Sequence, residues 1–347
     1  MKKIVIACDS YKGCLSSSEV SDAVAEGVSG VYPDCEVVRL AVADGGEGTV
    51  EALVDTLGGH LEWAEVSDPL GRPVRAAYGM AGDLAIIESA TACGLTLLMK
   101  EERNPLIATT KGLGELILAA VDKGCRRFLI GLGGSATNDG GMGMIGVEGF
   151  LEKTRGLQFT VACDVDTPYI GRNGASRVFG PQKGASGQDV EILEERLCGY
   201  ALKISEDTGI DVSDMPGAGA AGGLGGAFRA YLGAELKRGV DLVLDQIGFD
   251  SVIAGADLVI TGEGCSDYQT LKGKTAAGVL ERAGRQHIPV ALVSGAVRDE
   301  KMLKDRGFRI AEAVTPPTMS LEEAMRPETA KRLVAISTRN ILHHICI

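Results

Sequence analysis

A chain of 347 residues exceeds what one hydrophobic core usually serves, so two domains are expected. The formal net charge of -12 argues against nucleic acid as a partner, and it means that an anionic ligand needs a local cluster of lysines, N–H groups and metal to offset the overall field. Nine cysteines without a C-x-x-C pair argue against a zinc site and are expected to be reduced thiols; no apolar run approaches the ~20 residues needed to cross a bilayer, so the expected location is cytoplasmic, with no membrane partner.

In chain order, Lys3 to Cys8 reads as a buried parallel strand ending at Asp9-Ser-Tyr-Lys-Gly13, and Ser16 to Val31 as an amphipathic helix capped by serine. Glu36 to Val42 is a second strand, ending at Asp44-Gly-Gly-Glu47, and Val50 to Leu57 a second helix. Residues 61 to 79 alternate apolar and polar side chains around Asp68-Pro-Leu-Gly71, as a hairpin does. Strands at Ala85–Glu88, Phe128–Ile130 and Phe159–Cys163 and helices at Gly112–Lys123 and Gln188–Ser205 form a middle unit, together with the glycine-dense tract Pro216 to Gly226. The strand and helix rhythm then returns: strand Asp257–Thr261, helix Thr275–Arg285, strands Pro289–Val293 and Arg309–Val314.

Alternating strands and helices predict an α/β fold with two domains. The first is a Rossmann-like parallel-sheet domain, residues 1–66 plus 252–347, interrupted by a second α/β domain, residues 67–251, that carries the glycine-rich loops. In open sheets of this kind ligands sit beyond the carboxyl ends of the strands, where Asp9, Lys12, Asp44 and Glu47 all fall.

The tract Gly131 to Gly143 follows an apolar strand and precedes a possible helix start at Asp139 or Gly140. Its glycines let backbone N–H groups approach an anion, with Ser135, Thr137 and Asn138 as added donors. It matches neither G-x-x-x-x-G-K-[ST] nor G-x-G-x-x-G, so a phosphate cradle and a turn that lets strand and helix pack closely are both open. Carboxylates, lysines and glycine tracts after strand ends suit phosphoryl transfer, although Asp9, Asp44 and Asp164 taken singly read equally as turn or helix caps. The four histidines lie outside every such cluster, which argues against a histidine-centred hydrolase.

Seven segments taken together resemble the type-1 glycerate kinases of bacteria: Asp9-Ser-Tyr-Lys-Gly13, Val42 to Thr49, Gly133 to Gly141, Val161 to Val165, Phe179 to Ala185, Pro216 to Gly225 and Leu258 to Gly264. The resemblance implies ATP-dependent phosphorylation of D-glycerate, usually at the 2-hydroxyl, with Mg²⁺, in a cleft between two α/β domains; a homodimer is compatible with it. Carried over by position, it assigns Gly133, Gly134, Ser135, Thr137, Asn138, Gly140, Gly217, Gly219, Gly222 and Gly223 to the nucleotide. It assigns Asp9, Ser10, Asp44, Lys183 and Lys274 to the substrate, Lys12, Asp164 and Asp267 to catalysis, and Asp164 and Glu263 to the metal. The chain departs from the family pattern at Cys265, where an arginine is usual, at Tyr268 and Leu113, and in a short connection from Phe150 to Leu157. The loss of that arginine leaves a kinase for another small hydroxy acid as the nearest alternative, and a catalytically silent nucleotide or hydroxy-acid sensor as the alternative of another class.

Overall fold

The computed structural model describes residues 1–46 and 48–345. Its strands are β1 (Lys3–Cys8), β2 (Glu36–Ala41), β3 (His60–Ser67), β4 (Pro73–Ala81), β5 (Leu84–Glu88), β6 (Arg127–Gly131), β7 (Gln158–Ala162), β8 (Glu235–Lys237), β9 (Leu258–Gly262), β10 (Cys265–Ser266), β11 (Val290–Ser294), β12 (Ala296–Val297) and β13 (Ile310–Ala313). The chain divides into two compact units, one of Met1–Asp44, Glu51–Leu57 and Val243–Ile347, the other of Gly45–Val50 and Gly58–Leu242.

The first unit is built on a five-stranded, wholly parallel sheet in the order β13-β11-β9-β1-β2. A strand covered by helices on both faces needs apolar residues throughout rather than in alternation, and residues 4–8 are all buried. Ile4, Ile6 and Cys8 pack with Val20, Val24 and Val28 of the helix Ser17–Ser29 and with Val334 and Ile341 of the helix Pro327–His344. The first of these helices starts as its sequence demands: the Ser16 hydroxyl accepts the Glu19 N–H while the Glu19 carboxylate accepts the Ser16 N–H, a capping box contributing about 1 kcal/mol. Its neighbour Ser17 turns inward, donating to the Cys8 carbonyl and accepting the Val42 N–H at 3.0 Å, which ties together the ends of β1 and β2.

The second unit is built on a six-stranded sheet, β3-β4-β5-β6-β7-β8, antiparallel across β3, β4 and β5 and parallel from β5 to β8. Phe128 and Phe159 stand opposite one another on β6 and β7 and stack with ring centroids 4.7 Å apart, and Phe228 closes on Phe159 at 6.1 Å.

The division falls elsewhere than at residues 66/67 and 251/252. Strand β3 pairs with β4 along its whole length, so residues 60–66 lie in the second unit, as do Gly45–Val50. Among the elements that carry too weak a sequence signal to read are three-residue β8 and the helix Gly239–Gln246 that follows it. The tract from Pro216, whose glycines gave no helical pattern, enters a helix, Ala220–Leu232, whose first turn is broken by a left-handed run at Ala221, Gly222 and Gly223. The helix after the first glycine tract is a single turn, Met142–Ile145, too short for a helix dipole to favour an anion there.

Ala221 is held at φ +52, a conformation that costs a residue with a Cβ about 1–2 kcal/mol. Ala221→Gly is expected to raise the unfolding free energy by about 1 kcal/mol, net of glycine's greater entropy in the unfolded chain. Chemical denaturation of the two proteins checks it; an unchanged or lower stability would mean that the Ala221 methyl contributes more through packing than it costs in strain.

Candidate functional site

In the first unit, β1 leads to β2 on one side and β9 lies on the other, so the order of strands reverses between β1 and β9. Chain ends diverge at such a switch point and open a crevice at the carboxyl ends of the strands. Asp9 follows β1 there and Glu263 follows β9. The Asp9 carboxylate is 7% exposed, accepts the Ser10 N–H and the Thr275 hydroxyl, both at 2.7 Å, and is pushed up to about 6. Burial is the main cause and the charge of Asp44 adds to it, while the Thr275 and Ser10 hydrogen bonds and the Lys12 charge pull the other way. Lys12 itself is exposed, Ser10 and Asp44 are half-buried, and Glu47 lies outside the described residues.

Glu263 is buried and engaged on both oxygens: one accepts the Ser266 hydroxyl at 3.0 Å and the Thr270 hydroxyl, and the other lies 3.5 Å from the Lys274 ammonium. Asp267 forms a local turn, its carboxylate accepting the Gln269 N–H at 2.8 Å and its own N–H donating to the Thr270 hydroxyl at 3.0 Å. Cys265 is half-buried on β10, paired to Ala296 of β12. The side chain of Lys272 lies outside the described structure.

In the second unit the two glycine tracts interlock. A Cβ on Gly222 would lie 2.1 Å from the Thr137 carbonyl oxygen, one on Gly223 would lie 2.6 Å from the Gly140 Cα, and one on Gly219 would lie 2.1 Å from the Pro168 carbonyl oxygen. The Gly140 N–H donates to the Gly222 carbonyl at 3.0 Å, and the buried Tyr169 hydroxyl donates to the Gly140 carbonyl at 3.0 Å. Close packing therefore accounts for the missing side chains at Gly140, Gly219, Gly222 and Gly223, and Gly217 is buried beside them. The turn Gly133–Gly134 is different: it is exposed, and a Cβ on Gly133 would meet only the Gly46 Cα, at 3.7 Å.

The half-buried Asp139 organises the stretch beyond that turn, accepting N–H groups of Thr110, Gly141 and Gly143 and hydroxyls of Thr109 and Thr110. Ser135, Thr137 and Asn138 are buried; Asn138 donates to the Ser176 hydroxyl at 3.1 Å. Lys183 is 2% exposed, too enclosed to meet a substrate directly, and its ammonium donates to the Ser135 hydroxyl at 3.0 Å and the Thr137 carbonyl at 2.6 Å. Asp164, after β7, is exposed, and one of its oxygens accepts the N–H of Gly239, the first residue of the helix Gly239–Gln246. Asp164 thus caps that helix.

Among the described residues, no three His, Cys, Asp or Glu side chains gather as a metal site, no helix is long and apolar enough to cross a membrane, and eight cysteines are free thiols.

A sequence model of the glycerate kinase family matches residues 4–150 and 145–346. The chain is 43% identical to a glycerate kinase of Bacillus subtilis over 93% of this chain and 92% of that one, and 42% identical to glycerate 2-kinase of Escherichia coli over 93% of each chain. A crystal structure of a candidate glycerate kinase 2 from Salmonella typhimurium LT2 superposes with a TM-score of 0.88 at 41% identity, covering 99% of this chain and 98% of that one. Fold and sequence together define an α/β kinase. More closely, the chain belongs to the glycerate kinase family.

Two substitutions separate packing from ligand contact. Gly222→Ala is expected to cost about 3 kcal/mol, from the left-handed backbone and the collision with Thr137, whereas Gly133→Ala is expected to leave stability within about 0.5 kcal/mol of wild type. Thermal unfolding distinguishes them. Asp9 gives a pH test: its carboxyl titrates near 3.8 unfolded and about 6 folded, so ionising it disfavours the fold progressively as pH rises from 4 to 6. Asp9→Asn is expected to stabilise the protein at pH 7 by on the order of 3 kcal/mol, a gain that disappears below pH ~4. Equal stability of the two proteins at pH 7 would overturn that account.

Proposed function

We propose that this protein transfers the γ-phosphoryl group of ATP to the 2-hydroxyl of D-glycerate, releasing ADP and 2-phosphoglycerate. The observation that carries the reading is the 42% identity to a protein named glycerate 2-kinase, extending over 93% of this chain. The exposed Gly133–Gly134 turn is the part of the glycine tract suited to the nucleotide phosphates, since its backbone can be approached without a side chain in the way.

Asp9 is the group suited to receive the hydroxyl proton. A carboxylate held near pH 6 is ionised at neutral pH yet basic enough to act as the oxygen attacks phosphorus. Lys12, exposed and close enough to act on Asp9 electrostatically, is suited to the substrate carboxylate or the transferring phosphoryl group. Ser10 and Asp44 flank them, and Lys274 is held by Glu263. Bound Mg²⁺ would neutralise phosphate charge; it usually keeps several waters and needs only one or two protein carboxylates, for which Asp164 fits by its exposure. Glu263, with both oxygens engaged, fits a structural role better than a metal ligand.

Lys12→Ala is expected to lower kcat at least roughly 100-fold while leaving the melting temperature unchanged, and kcat/KM of the wild type is expected to fall below pH ~6 as Asp9 takes up a proton. A coupled ADP-release assay with D-glycerate, L-glycerate and tartronate measures both, and product analysis identifies the phosphorylated hydroxyl. Turnover of another acid but not D-glycerate would replace the substrate; ATP binding with no product from any acid would favour a sensor.

A further inference from the structure

The glycine tract Gly131 to Gly143 contains no lysine of its own, so a phosphate-binding turn here needs its shape and its positive charge from elsewhere in the fold. The structure has a candidate for both. Lys183, on the turn Pro181–Lys183, points its ammonium at the tract from within the protein. It is among the largest fully enclosed side chains of the unit and makes two hydrogen bonds, one to the Ser135 hydroxyl and one to the Thr137 carbonyl. Ser135 directly follows the exposed Gly133–Gly134 turn, and the same Thr137 carbonyl packs against Gly222. The other flank of the turn is fixed by main chain: the Leu95 N–H donates to the Gly134 carbonyl at 2.9 Å and the Ala136 N–H to the Cys93 carbonyl at 2.7 Å. The lysine is thus the side-chain tie on a turn otherwise held by backbone.

We propose that Lys183 is a positioning residue for the nucleotide: its ammonium holds Ser135 and the Thr137 carbonyl from inside the fold, so that the Gly133–Gly134 turn keeps the shape and local positive charge that receive polyphosphate. The proposal rests on the reading of that turn as the ATP phosphate site. It differs from direct substrate contact, which so enclosed a side chain cannot make.

A consequence concerns protons. Burial lowers the Lys183 amine to about 7, against the opposing pull of Asp139 on the tract; Cys93, on the short helix Ala90–Cys93, also faces it, and the Phe179 ring lies 6.0 Å from the amine. Burial pushes the Cys93 thiol far up, so it stays neutral, and burial also raises the Asp139 carboxyl. Phosphate anions on the turn favour the charged amine, so binding draws a proton onto Lys183, and affinity declines as pH rises above 7.

The test is calorimetric titration of the full-length protein with Mg·ATP, without glycerate, from pH 6 to 9, on wild type, Lys183→Met and Ser135→Ala. Lys183→Met is expected to weaken ATP binding at least roughly tenfold at pH 6.5, to remove the decline above pH 7 that the wild type has beyond the nucleotide's own titration, and to leave the KM for glycerate within about twofold. Ser135→Ala, acting through the same tie, is expected to weaken ATP binding while keeping the pH dependence. Equal ATP affinity and pH profile in Lys183→Met, or a raised KM for glycerate with ATP binding intact, would overturn the proposal. If Lys183→Met fails to fold, unchanged ATP affinity in Ser135→Ala overturns it instead. A wild type that binds no ATP defeats the reading of the turn and the proposal together, whereas a wild type that binds ATP but phosphorylates no glycerate defeats only the choice of substrate.

Discussion

The second unit depends on one contact, the main-chain approach of Thr137–Gly140 to Gly222–Gly223. Backbones come this close only because Gly222 and Gly223 carry no Cβ, and Gly222, Gly223, Gly140 and Gly141 all have positive φ as well. With the two tracts seated on one another, Tyr169 reaches the Gly140 carbonyl and Asp139 gathers its ring of donors. The remaining freedom of the first tract is then confined to Gly133–Gly134. The exposed turn is what remains of a glycine-rich segment after packing has claimed the rest, and its conformation is inherited from contacts several residues away.

Two ionisable groups of opposite sign are held close to neutrality by the same cause. Asp9, at the end of β1, is pushed up by loss of solvent, and Lys183, beneath the glycine tract, is pushed down by it. Each would shed its charge in a fully apolar setting; each instead has two hydrogen bonds that keep the charged form accessible. A group so balanced changes protonation when a small charge is added or removed beside it. That property suits chemistry in which a hydroxyl loses a proton and a highly charged nucleotide arrives, and it carries a cost in stability that an apolar residue at either place would avoid.

The sheet architecture was legible because its signal is local. Residues 4–8 and 258–260 are apolar without interruption, and Ser16 with Glu19 announces the helix Ser17–Ser29, so length, pattern and caps all point one way. Strand β8 escaped because three residues, Glu235–Lys237, are too few to display a period, and its place is fixed by pairing to β7. The roles of the glycines were not legible for a different reason. Gly133 and Gly222 look alike in sequence, and what separates them is the Thr137 carbonyl that a Cβ on Gly222 would strike, against the ordinary contact with Gly46 that one on Gly133 would make. Lys183 could not be told from a surface lysine, since nothing local signals that Pro181–Lys183 tucks beneath the tract.

The same distinction bears on Cys265, where the resemblance to the glycerate kinases leads one to expect arginine. Cys265 sits on β10 directly after Gly264, and a Cβ on Gly264 would lie 3.7 Å from the Lys12 N, so the position adjoins the Asp9–Lys12 segment. The charge lost there is not restored by Lys274, part of whose field is spent on the neighbouring Glu263 carboxylate at 3.5 Å. Lys12 is exposed and lies next to the altered position. An acid whose carboxylate is bound near the carboxyl ends of β1 and β9 therefore relies on Lys12 more heavily than it would with arginine at 265, and a half-buried thiol in that place leaves both less charge and more room. Less charge weakens the hold on any small acid alike, while the added room favours one with a larger substituent, so the substitution at 265 bears on the choice among hydroxy acids through shape as much as through charge.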